Sequence, residues 1–229
     1  LEKYHPHSWE NINREEYIRM TDEIKENANK WGNEKVIVEL MKVIADIGDG
    51  HTELSLNNQD QFNLWFPVRI EKFYDGLFIT GINRDHDDIL KAKVLSIGEM
   101  NADEAYSSMA KIIAVDNEKG LPRIITNYLS NAVILENLGI ITNRDNLPLK
   151  VKKSNGEIVE MKLQSEPWQM AQNWAYHKTA VPTSVKTITI YDNVPDSLPL
   201  FLKNVISDRK AYWFEYNPQQ KTLFFQFND

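Results

Sequence analysis

The chain has 229 residues, 42% of them hydrophobic and 10% aromatic, with a formal net charge of −7. That is enough apolar material for one large domain or two small ones, and lysines and arginines alternate with acids along the chain, which excludes a basic, phosphate-tracking surface for nucleic acid. It has no cysteine, so disulfides, thiolate catalysis and cysteine-ligated zinc are excluded, and no apolar run approaches the ~20 residues needed to span a bilayer.

Residues 1–12, with His5-Pro6-His7, read as an irregular lead-in. Asn13 followed by Glu16 has the spacing of a capping box, and Tyr17, Met20, Ile24, Ala28 and Trp31 recur at helical spacing. Gly32 ends that helix, and Asn33 is expected to cap a second one, whose apolar face runs from Val36 to Ile47. Gly48 stands where a left-handed C-terminal residue is expected. The two helices form a hairpin that ends in Gly48-Asp49-Gly50-His51-Thr52.

The period then changes. Residues 64–70 and 77–82 read as strands joined through Tyr74-Asp75-Gly76. A charged loop, Arg84-Asp85-His86-Asp87-Asp88, precedes a short strand at 93–97. Asn101 and Glu104 cap a helix expected over 102–114, and Pro122 opens further helical stretches that end near Gly139. Residues 147–153 and 157–163 flank Asn155-Gly156, the clearest hairpin in the chain. Residues 165–180, with Trp168 and Trp174, read as a linker. A strand at 186–191, a helix near 198–206 and strands at 212–216 and 222–227 complete the pattern.

The order of these elements, and above all the Gly-Asp-Gly-His-Thr run at the end of a helical hairpin, resembles the tail-specific (carboxyl-terminal processing) serine peptidases, most closely their tricorn-core-like branch. The middle segment, with Asp75-Gly76-Leu77-Phe78-Ile79 and Val94-Leu95-Ser96-Ile97-Gly98-Glu99-Met100, is similar to a PDZ-type module. The resemblance implies an α+β fold in three parts: an N-terminal helical subdomain (1–60), a PDZ-like module (61–165), and a linker leading into the first strands of a crotonase-like α/β domain (166–229). It implies peptidase action on polypeptides, no cofactor, and export to the cell envelope or beyond, while the absence of cysteine suits a cytoplasmic protein equally well. His51 matches the family's general base. Gly76, Leu77, Phe78 and Ile79 match a strand that could take up a peptide C-terminus by strand addition.

Imidazole titrates near neutrality and can take a proton from a hydroxyl, which is what a base at residue 51 requires. The same histidine could instead only finish the helix, and Asp49 and Thr52 could only satisfy the turn. No serine of the chain sits in a Gly-x-Ser-x-Gly elbow or a supported Ser-x-x-Lys pattern. Ser96 falls in a strand, Ser107 and Ser108 in a helix, and Ser130 at a helix N-cap position. The nucleophile is therefore expected outside this sequence, and the chain alone is expected to be inactive. The apolar pattern at 222–227, close to Asp229, adds to the expectation of a longer protein, or of self-association through that strand.

The remaining histidines yield no site: His5-Pro6-His7 reads as a terminal tail, the loop around His86 lacks the spacing of a calcium loop, and His177 has no identifiable partner. No metal site is expected. The other class of function open to the chain is a non-catalytic peptide- or partner-binding module, and a binder of apolar ligands would need a sizeable dry pocket.

Overall fold

The computed structural model describes residues 5, 9–56, 59–168, 170, 187–189 and 212–227. The fold is mixed helix and antiparallel sheet. Helices α1 (Arg14–Asn27) and α2 (Asn33–Ala45) form the N-terminal hairpin. Asn13 caps α1 by accepting a hydrogen bond from the Glu16 amide at 2.8 Å. The Glu16 carboxylate turns to Arg19 rather than back to the cap. The second cap falls one residue earlier than expected: Gly32 is the N-cap, Asn33 is the first helical residue, and no side chain completes the cap.

Strands β1 (Leu64–Trp65), β2 (Val68–Phe73), β3 (Gly76–Asn83), β4 (Lys93–Ile97) and β5 (Met100–Asn101) follow. The charged loop before β4 is wound into 3₁₀ turns over Arg84–Ile89. Helix α3 (Ala102–Ala110) carries the full reciprocal capping box, with Asn101 accepting from the Glu104 amide and Glu104 accepting from the Asn101 amide. It ends at Ala110, short of residue 114, although Ile112 and Ile113 beyond it remain buried. Helices α4 (Leu121–Ile125) and α5 (Ala132–Asn137) lead to the hairpin β6 (Asn146–Lys152) and β7 (Ile158–Gln164).

The main sheet has the order β2-β3-β4-β6-β7, with β5 on β4 and β9 (Thr187–Thr189) on β3, and every pairing is antiparallel. β1 pairs with β8 (Glu166–Pro167), so strands before and after residue 165 share sheets. The helix expected near 198–206 lies outside the described residues. Strands β10 (Tyr212–Asn217) and β11 (Thr222–Phe227) form a two-stranded hairpin in which Phe214 faces Phe225 and Tyr216 faces Leu223. Side chains alternate across a strand, and these four lie on one exposed face.

One face of the main sheet carries the core. Residues alternate between buried and half-buried along β6 until the exposed Lys152 at its end, as a sheet with one face on the core requires. Val68, Ile70, Leu77, Ile79, Val94, Ile97, Leu149 and Val151 are buried together with Ala105 and Met109 of α3 and Val133, Ile134 and Leu135 of α5. Burying each large aliphatic side chain stabilises the fold by about 1.5–3 kcal/mol. Asn131, itself buried, ties the helical layer to the chain before β1. Its Nδ2 donates to the Phe62 carbonyl at 2.9 Å, and its Oδ1 accepts from the Ile134 amide at the start of α5. Asn131, not Ser130, is thus the α5 cap, while the Ser130 hydroxyl donates to the Val68 carbonyl at 2.6 Å.

Candidate functional site

The junction that follows α2 is built from short-range chemistry. Gly48 adopts φ +72°, the left-handed region that ends helices. Its backbone leaves room for Asn11, whose Nδ2 donates to the Ile47 carbonyl at 2.9 Å, and a Cβ on Gly48 would strike that side chain. Asp49 then collects the turn. It accepts from the Thr52 hydroxyl at 2.7 Å, from the His51 amide at 3.0 Å and from His5 Nε2 at 2.8 Å. Those three donors, Thr52 first, hold the Asp49 carboxyl well below the usual carboxylate range.

His51 projects from this fixed turn. Its side chain is 90% exposed, and Nδ1 lies 3.8 Å from Asp49 Oδ1, within ion-pair range but beyond a hydrogen bond. The ring stands in solvent rather than in a cleft of the described residues, and no serine hydroxyl among them hydrogen-bonds to it. The turn is clamped from a third side. The Gly50 amide donates to Asp116 Oδ1 at 2.8 Å, across 66 positions of sequence. A Cβ on Gly50 would lie 3.1 Å from Asp116 Oδ2 and 3.3 Å from the Asp116 backbone nitrogen, a tight fit that the loop after α3 would have to relieve by a few tenths of an ångström. Asp49, His51 and Asp116 each offer a ligand atom within 4.8 Å of the others.

Sequence reasoning missed two members of this cluster. Asp116 carries no local signal, because its role comes from a contact 66 residues away. His5 reads as part of a tail, yet its side chain is only 12% exposed and rests on Asp49.

Gly76, Leu77, Phe78 and Ile79 stand elsewhere, in β3, and β3 is an interior strand. β2 runs along one side from Val68↔Ile82 to Phe73↔Gly76. On the other side Leu77 and Phe78 pair with Val94 and Lys93, and Ile79 exchanges hydrogen bonds with Ala92 and Lys91. Strand addition needs an edge with free backbone groups, and Leu77, Phe78 and Ile79 are flanked on both sides. On α3, Ala105 and Met109 are fully buried, as core residues rather than as the wall of a groove. A small void of about 20 Å³, lined by Met41, Ile44, Leu54, Ile112, Ile124 and Tyr128 among others, has room for little more than a water molecule and offers no dry ligand pocket.

No family model matches the chain, and no curated protein matches it. Two solved structures are similar in part: mature CPAF, and mature CPAF complexed with lactacystin. Each is 12% identical with a TM-score of 0.48, covering 65% of this chain. The chain spans 28% of the CPAF chain. At that distance the likeness assigns neither a family nor an activity.

Proposed function

We propose that this chain is the N-terminal portion of a serine peptidase of the tail-specific type, with His51 as its general base and the nucleophile supplied by residues outside the chain. The observation that supports this most is the turn that carries His51, pinned by Asp49, Asp116 and the Gly48 helix end; the ring itself stands in solvent and not in the cleft expected for a general base, so this reading needs residues outside the chain to form that cleft. A base must be held in position and still be reachable by the hydroxyl it serves. Here the backbone is fixed and the ring is free. Asp49, close to Nδ1, is placed to orient the imidazole once a hydroxyl engages the other ring nitrogen. The Gly48–Thr52 motif that carries the family resemblance is the same segment. Export of the parent protein belongs to this reading.

The peptide-binding alternative through residues 76–79 draws no support from an interior strand. Self-association fits the β10–β11 hairpin better. It is two strands with an apolar face, and hairpins of that size need a further layer to be stable. Sedimentation of the chain as a monomer at all concentrations would remove that part of the reading.

Fluorophosphonate labelling tests the peptidase reading. The chain of residues 1–229 alone is expected to stay unlabelled. A longer protein carrying it is expected to label, and to lose labelling on His51→Ala. Labelling undiminished in that variant overturns the assignment of His51.

A further inference from the structure

Asn155-Gly156, at the tip of the β6–β7 hairpin, is the only Asn-Gly pair in the chain. Both residues are exposed, and β7 ends the main sheet on that side. Lys153 closes the turn: its amide donates to the Glu157 carbonyl at 2.8 Å, and its carbonyl accepts from the Gly156 amide at 3.0 Å. Gly156 sits at φ +89°, and a Cβ there would meet nothing within 4 Å, so its nitrogen is crowded neither by a side chain of its own nor by neighbours. The Asn155 carboxamide is drawn forward along the chain rather than out into solvent. Its Oδ1 accepts from the Glu157 amide at 3.0 Å, and its Nδ2 lies 3.5 Å from Glu157 Oε2.

We propose that Asn155 is a site of spontaneous deamidation through a cyclic imide. The Gly156 nitrogen gives its proton to solvent base and bonds to Asn155 Cγ, and an electron pair of the side-chain carbonyl moves onto Oδ1. The Glu157 amide already points at that oxygen and stabilises the charge that develops on it. The pair then returns, the Cγ–Nδ2 bond breaks, and Nδ2 leaves as ammonia with a proton from water. One water opens the resulting imide. Cleavage between Cγ and the Gly156 nitrogen gives aspartate; cleavage between the main-chain carbonyl of residue 155 and that nitrogen gives isoaspartate. No redox partner and no enzyme is needed. Either product replaces the amide beside Glu157 with a like charge. Isoaspartate also adds a methylene to the backbone between Lys153 and Glu157, whose hydrogen bond sets the register of the hairpin. The modified tip is therefore less firmly closed. Lys153, which reaches Asp88 at 2.6 Å and Glu157 at 3.5 Å, ties that tip to the 3₁₀ turns before β4, so the change is felt beyond the hairpin.

The test incubates the folded chain of residues 1–229 in mildly alkaline buffer, with peptide mapping by mass spectrometry and an ammonia assay. Asn155 is expected to be the first asparagine to convert, to a mixture of aspartate and isoaspartate, with one ammonia released per site and a rate that rises with pH. Gly156→Ala is expected to slow the conversion by crowding the attacking nitrogen. Glu157→Pro removes the donor to Oδ1 and is expected to slow it about three- to tenfold. Circular dichroism establishes that each variant keeps the native fold. A comparison that needs no variant sets the folded chain beside a free peptide of residues 151–160 in the same buffer. Retention of Asn155 in the folded chain where the peptide converts, or conversion undiminished in a folded Gly156→Ala, overturns the proposal. An unchanged rate in Glu157→Pro overturns the part given to the Glu157 amide. None of these results bears on His51, so this site and the peptidase reading fail separately.

Discussion

Asn131 offers a demanding test of how the helical layer is held over the sheet. The side chain is wholly buried, and it does two things at once: it caps α5 through the Ile134 amide at 3.0 Å and holds the Phe62 carbonyl at 2.9 Å. In Asn131→Ala the lost cap costs about 1 kcal/mol. The Phe62 carbonyl, left without its side-chain donor in a buried setting, costs about 1–3 kcal/mol more. The sum is about 2–4 kcal/mol, and in a domain of this size each 1 kcal/mol lowers the Tm by about 2–4 °C. Asn131→Asp separates the two roles. Aspartate keeps the acceptor for Ile134 but turns a second acceptor toward the Phe62 carbonyl and buries a charge. It should be at least as destabilising as alanine at neutral pH, and should recover as acid protonates it. Urea unfolding followed by tryptophan fluorescence, with Trp65 and Trp168 in contact at 4.7 Å as a reporter, measures both. A loss below about 1 kcal/mol in Asn131→Ala, or an aspartate variant as stable as the unmodified chain at neutral pH, would refute the two-role account.

Other outcomes follow from the same structure. Gly98 adopts φ +57°, and a Cβ there would strike the Ile140 carbonyl and lie 2.7 Å from Ile141 Cγ2. Gly98→Ala should therefore cost more than the roughly 1–2 kcal/mol of the left-handed conformation alone, and loss of native near-ultraviolet dichroism at ambient temperature is the expected extreme. His51→Ala should leave the urea midpoint within about 0.5 kcal/mol of the unmodified chain, because the ring is solvent-exposed. Burial pushes the Glu39 carboxyl up, but hydrogen bonds from Lys35 and Lys42 more than offset it and hold it below 4.5. A carboxyl lowered in the folded state stabilises above its ordinary value and loses that contribution as pH falls through the folded one. Stability measured from pH 6 down through the acid range should fall less steeply in Glu39→Gln than in the unmodified chain, and parallel curves would remove Glu39 from acid unfolding.

Much of the local structure could be read from short stretches of sequence. Asn13, Gly48, Asn101 with Glu104, and Asn155-Gly156 each name a cap or turn whose chemistry is complete within a few residues, and each stands where its pattern places it, although Glu16 turns to Arg19 instead of closing the box with Asn13. Errors of one position, such as Gly32 for Asn33 and Asn131 for Ser130, arise where neighbouring residues are all competent caps and tertiary contacts choose between them. What the pattern could not show is pairing at a distance. A strand reads the same at an edge as in the interior, so the enclosure of residues 77–79 depends on β4 and on the segment around Lys91, neither adjacent to it in sequence. The same limit hid the candidate site: Gly48–Thr52 was visible as a motif, but the approach of Asp116 to Gly50 and of His5 to Asp49 depends on how separate segments pack.

The central claim is that His51 removes a proton for a nucleophile carried beyond this chain. The second-order rate of acylation by an activated ester, measured on the longer protein with and without His51→Ala, tests it most directly. The account predicts a loss of about 10²- to 10⁴-fold in the variant and no acylation of residues 1–229 alone. Equal rates in the two proteins, or acylation of the isolated chain, would contradict it.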